Sequence, residues 1–216
     1  MSAILLQVLP HIVSSLIYAA LGAHFWHTRW RQSNQGLVTS PMQPWERLTI
    51  LFALLVQGFG LYAGLFGAGG MRFSFSFALS LMLWLAVLIY WLESFRSRMD
   101  GLQPMVLPIA ALCALAPAIF PQLREVAHAG AWGFQLHFLA AMLAYSLFTL
   151  SALHAVFMGF AERKLHRRAV TKNLGSLPPI LTMEALLFRM ILIAFCLLTV
   201  ALVSGVMFSE AIFGKA

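Results

Sequence analysis

Charge is scarce in this chain. Of its 216 residues only 10% are charged, the acidic side chains number 7, and Asp100 is the single aspartate. Asp100 falls in a connector, so no pair of carboxylates suited to acid–base catalysis can be drawn. Cysteine is nearly absent. Cys113 and Cys196 lie alone in separate apolar segments, form neither a CxxC nor a metal-ligand set, and read as small hydrophobes. A P-loop, a dinucleotide glycine fingerprint, HExxH and GxSxG are all missing. The Gly69–Gly70 pair is a turn signal and not a phosphate cradle.

What fills the chain instead is apolar. Hydrophobic residues make up 61% of it, in runs too long for the core helices of a soluble domain. The short alternating segments of a transmembrane barrel do not occur. The composition predicts an all-α polytopic membrane bundle of six transmembrane helices, forming a single integral membrane domain over residues 1–216. The helices are expected at about 4–27, 48–66, 73–92, 105–120, 132–160 and 182–208. The fourth is short and carries Pro108 and Pro117, which predicts a kink or a locally thinned bilayer. The first lacks a basic leader and a small-residue cleavage pattern, and is expected to be retained.

The net charge of +7 suggests nucleic acid or an acidic partner only until its placement is considered. Ten Lys and Arg fall in the first, third and fifth connectors, against three in the second, the fourth and the tail. The bias places the odd connectors in the cytoplasm and both chain ends outside, in contact with membrane lipids and not with nucleic acid. The basic loop Arg163–Lys172 is the strongest retention signal, and also a lipid-headgroup patch by composition.

One stretch, Trp132 to Phe160, is long enough to span a bilayer yet carries His137, Tyr145 and His154. The two histidines are read as sharing a helix face, about 25 Å apart, near opposite membrane surfaces. Imidazole in hydrocarbon is expensive unless it faces the bundle interior, so each is a ligand candidate or a ring satisfied by a neighbouring helix. Trp132 marks the outer interface, with His137 about 7 Å beneath it. His11 lies at comparable depth on segment one, whereas His24, His27 and His154 fall toward the cytoplasmic side. Segment six carries Glu184 and Arg189, read as an interior ion pair, a snorkelling arginine, or a cation for an acidic group such as a propionate.

The run LHFLAAMLAYSLFTLSALHAV resembles the histidine-bearing helix of the cytochrome c assembly family, in its CcsA and HemX-like branch. LPPILTMEALLFRMILIAFCLLTVALVSGVMFSE resembles the helix that follows, and the bacterial inner-membrane subgroup called YpjD is the best match. The resemblance implies haem, of b type, as cofactor, with His137 as axial ligand beside a tryptophan represented here by Trp132. It also implies maturation partners in the same membrane, and no covalent catalysis by this chain. The tryptophan-rich WWD tract of the haem exporters would follow the SG of segment six. The chain stops at Ala216, which predicts a C-terminal truncation relative to eight-helix members, with the second outer histidine in the missing part. Within this chain the second ligand is then His11, by depth, or His128 from the fourth connector.

Three functions follow: haem binding or presentation at the outer face through His137, a non-haem accessory factor on the same scaffold, and a small-solute transporter using His137, Tyr145 and His154. The transporter reading lacks a broken-helix pair and an inverted repeat.

Overall fold

Residues 2–31, 42–66, 72–96, 101–125, 132–168 and 180–213 are described by the structure, a computed structural model. They form six α-helices: α1 (Ser2–Phe25), α2 (Pro44–Phe66), α3 (Phe75–Glu93), α4 (Gln103–Ile119), α5 (Trp132–Arg168) and α6 (Ile180–Phe213). A π-helical segment, Trp26–Arg31, continues α1. Two-residue strands, β1 (Arg72–Phe73) and β2 (Arg124–Glu125), pair antiparallel.

Five helices are long and apolar enough to cross a membrane. The remaining one, α4, has 17 residues, at the lower limit for a span of about 30 Å. It runs as one helix through Pro108 and Pro117. The Pro108 ring is seated where α1 has no side chain: a Cβ on Gly22 would lie 3.0 Å from its Cγ and Cδ. The chain is a multi-pass membrane protein, and its surface agrees. Phe75, Leu112, Leu181 and Met207 point outward, while Glu46, Gln57, Ser80 and Gln103 are buried. That is the reverse of a soluble protein, as expected where the surroundings are hydrocarbon.

Helices α1 to α4 close a four-helix unit, in which α1 packs on α4 and α2, and α3 packs on α4 and α2. Its centre holds Tyr18, Phe25, Ile50, Leu54, Val87 and Leu107. Polar side chains fasten the helices, since lipid offers no alternative partner. Ser15 donates to the Ala111 carbonyl (2.8 Å), Trp84 to Leu54 (2.8 Å) and Trp91 to Arg47 (3.1 Å). Gln57 donates to the Ser80 hydroxyl at 3.0 Å. Helix α5 joins this unit along α3, where Ser146 donates to the Met82 carbonyl at 2.9 Å. Helix α6 is carried chiefly by α5.

The β1–β2 pair joins the second and fourth connectors, so these lie at one end of the bundle, here the ladder end. Phe73 packs edge-on against Phe138 of α5, 5.9 Å between centroids. The ladder end therefore also holds the start of α5. Helix α5 extends to Arg168, beyond the expected end near residue 160. Its 37 residues span about 55 Å, so its basic last turns project past any bilayer core.

Candidate functional site

Helix α5 presents His137 in its second turn, facing α6. The ring Nδ1 lies 3.1 Å from the Ser204 hydroxyl. That hydroxyl donates to the Ala201 carbonyl at 3.0 Å. Gly205 makes the approach possible, since a Cβ there would stand 3.1 Å from His137 Cε1. The other ring nitrogen, Nε2, makes no hydrogen bond among the described residues. It is not among the polar atoms sealed without a partner, so it keeps some exposure, and a Cβ on Gly205 would stand 4.0 Å from it. Trp132, the first residue of α5, is 74% exposed and sits about 7.5 Å nearer that rim.

The remaining histidines have other environments. His11 is 1% exposed, and its two ring nitrogens are both buried without partners. Phe77 meets it edge-on at 5.5 Å, and Gly60 of α2 presses on it so closely that a Cβ would stand 3.2 Å from Nε2. Both nitrogens thus face protein in this structure, with the ring wedged against Phe77 and Gly60. The two histidines also belong to different walls, His11 between α1, α2 and α3, His137 between α5 and α6.

His154 is buried, with Nε2 3.1 Å from the Met183 carbonyl. A carbonyl only accepts, so this ring donates through Nε2 and is held by α6. At 100° per residue, seventeen residues leave His137 and His154 about 100° apart on α5, not on a single line. They do not form a polar stripe with Tyr145, which is 48% exposed while His154 is buried. His128 lies outside the described residues.

Arg189 is not part of the His137 site. Its guanidinium bonds Glu93 at the end of α3, and Glu184 is exposed and not its partner. Arg189 stands about 22 Å along α6 from Ser204, at the opposite end of the bundle. Cys113 and Cys196 are free and belong to different helices.

Sequence reasoning missed a buried acid, Glu46. Its carboxylate accepts from Arg29 Nη2 at 2.9 Å, from His24 Nε2 at 3.1 Å and from the Gln43 amide at 2.7 Å. The signal was legible in Gln43-Pro44-Trp45-Glu46: proline opens α2, and an acid at the third helical position reaches back to the preceding amide. What the sequence did not disclose is that the same oxygens would anchor the end of α1. Arg29 also covers the Phe25 ring, 4.6 Å from its centroid.

An apolar groove of about 710 Å³ runs along α2, α3 and α5, bordered by Leu51, Phe59, Tyr62, Trp84 and Phe138. No histidine lines it, and it meets α5 on a face different from that of His137. No group of three or more His, Cys, Asp or Glu suited to a bare metal ion occurs among the described residues.

No curated protein and no solved structure matches the chain. The family described as Cytochrome C assembly protein matches it over residues 45–216, which includes α3 to α6, all of α2 but its first residue, and both His137 and Ser204.

Proposed function

The chain belongs to the cytochrome c assembly protein family, whose work is cytochrome c maturation, and from that premise we propose that it binds haem at the ladder end through His137. The observation that carries this reading is the division of labour on one imidazole: Nδ1 tied to α6, Nε2 open. A ligating histidine is typically held by its second nitrogen in this way. His137 would be the residue to hold a haem there, whose iron would supply a site for a neutral imidazole nitrogen. Everything else falls to the chain's own residues. Ser204 and Gly205 seat the ring, and Trp132 borders the site at the rim. The excess of Lys and Arg in the odd connectors supports an orientation with the N-terminus outside, which turns the ladder end and His137 outward, and the sequence likeness to the YpjD-type subgroup supports a bacterial inner membrane. The sequence likeness of segments five and six supports placement in the YpjD-type subgroup, working beside other membrane proteins of maturation.

Absorption spectroscopy of the purified full chain tests this. A Soret band that His137→Ala abolishes is the expected result. Absence of the band, or a band indifferent to that substitution, defeats the reading.

A second reading, a non-haem accessory factor, is favoured by the enclosure of His11 and His154, which leaves no second open histidine facing His137 among the described residues. Co-purification with a membrane partner and no chromophore is its signature.

A further inference from the structure

We propose that Ser204 is the positioning residue that fixes His137 as its Nδ1–H tautomer and so turns the Nε2 lone pair outward. Its service to a bound haem rests on the reading above, whereas the tautomer itself does not.

The argument is one of hydrogen counting. The Ser204 oxygen has a single hydrogen and two hydrogen-bond partners among the described residues, the Ala201 carbonyl at 3.0 Å and His137 Nδ1 at 3.1 Å. A carbonyl can only accept. If Ser204 gave its hydrogen to the ring, two oxygen lone pairs would face each other across 3.0 Å. If it gives the hydrogen to Ala201, both contacts are bonds, provided that Nδ1 is the donor. Back-bonding of a helical serine to a carbonyl one turn earlier is its ordinary local habit. Neutral imidazole carries one N–H, so Nε2 is left as the acceptor.

The backbone of α6 completes the seat. At Gly205 the ring meets the helix where no side chain stands, with a would-be Cβ 3.1 Å from Cε1 and 3.6 Å from Nδ1. A methyl group there pushes the ring off the Ser204 hydroxyl. His154 is a built-in control on the same helix pair. It is held through Nε2 by the Met183 carbonyl, so it has the opposite tautomer and touches neither Ser204 nor Gly205.

The test is ring nitrogen NMR on the full chain, labelled at histidine and held in lipid nanodiscs in mildly alkaline buffer, with His137 assigned by its loss in His137→Gln. The native chain is expected to show a protonated Nδ1 and a bare Nε2 at His137. Ser204→Ala is expected to release the ring to both tautomers, and Ser204→Thr to restore the single one. The His154 signals should stay unchanged in both, which shows that α5 and α6 remain packed. Haem titration should show Ser204→Ala binding about 10–100-fold more weakly. An Nε2–H tautomer in the native chain, or one unaltered by Ser204→Ala, overturns the assignment. A native chain with no Soret band but an Nδ1–H ring sinks the haem reading and leaves Ser204 in its place. A Soret band with an Nε2–H ring does the reverse.

Discussion

Replacing Glu46 by alanine should destabilise the bundle more than any other removal of a single charge among the described residues. The carboxylate is sealed, with 5% side-chain exposure, and so is the Arg29 partner at 7%. Loss of the acid strands a buried guanidinium, which costs about 3–5 kcal/mol. Loss of the bond to the Gln43 amide adds about 1 kcal/mol as a missing helix cap. The His24 bond adds little, because that ring is 34% exposed. The expected sum is about 5 kcal/mol, several thousandfold in the folding equilibrium. Glu46→Gln keeps an acceptor for Arg29 and Gln43 and should cost about half as much. The comparison comes from the same protein: Glu93→Ala breaks an ion pair whose arginine is 55% exposed, and should cost about 1 kcal/mol or less. Reversible unfolding in mixed micelles, driven by the mole fraction of dodecyl sulfate and followed by circular dichroism, measures all three. If Glu46→Ala stays within about 1 kcal/mol of the parent, or Glu93→Ala matches it, the reasoning from burial is refuted.

Other substitutions probe the packing. Gly64→Ala places a methyl group inside the Phe77 ring and should destabilise by about 1–3 kcal/mol in the same unfolding assay. Gly159→Ala meets nothing within 4 Å and should stabilise α5 by about 0.5–1 kcal/mol. Ser146→Ala removes the α5–α3 bond to Met82 and should cost about 0.6 kcal/mol, the usual worth of such a bond in a membrane. An Arg163→Cys variant, in a background with both native cysteines replaced, should react with an impermeant maleimide only after the cells are opened. Labelling of intact cells reverses the proposed orientation.

The helices were legible because hydropathy and length together leave few arrangements for a chain of this kind. The expected segment at 73–92 is observed as Phe75–Glu93, and 105–120 as Gln103–Ile119. Ends that lie in water were harder. Helix α5 runs on through Glu162 and Arg163 because charged residues outside the bilayer continue a helix at little cost, so hydropathy marks the membrane boundary and not the helix end. His137 stood out as a polar residue in an apolar run. Its partner did not, since Ser204 in an equally apolar helix is indistinguishable from filler until the register of α6 against α5 is known. The same holds for Glu46, whose role in capping α2 follows from neighbours in sequence. Its hold on Arg29 and His24 depends on the approach of α1 and α2.

Helix α6 is supported chiefly from one side, and this sets how the two halves of the molecule respond to force. A lateral push from lipid or from a docking protein can tilt α6 on α5 while the quartet of α1 to α4 keeps its shape. Such a tilt would act on the bonds that tie α6 to α5, Ser204 with His137 and the Met183 carbonyl with His154. The grip on the ring of residue 137 is thus within reach of a neighbour in the bilayer that leaves the quartet untouched.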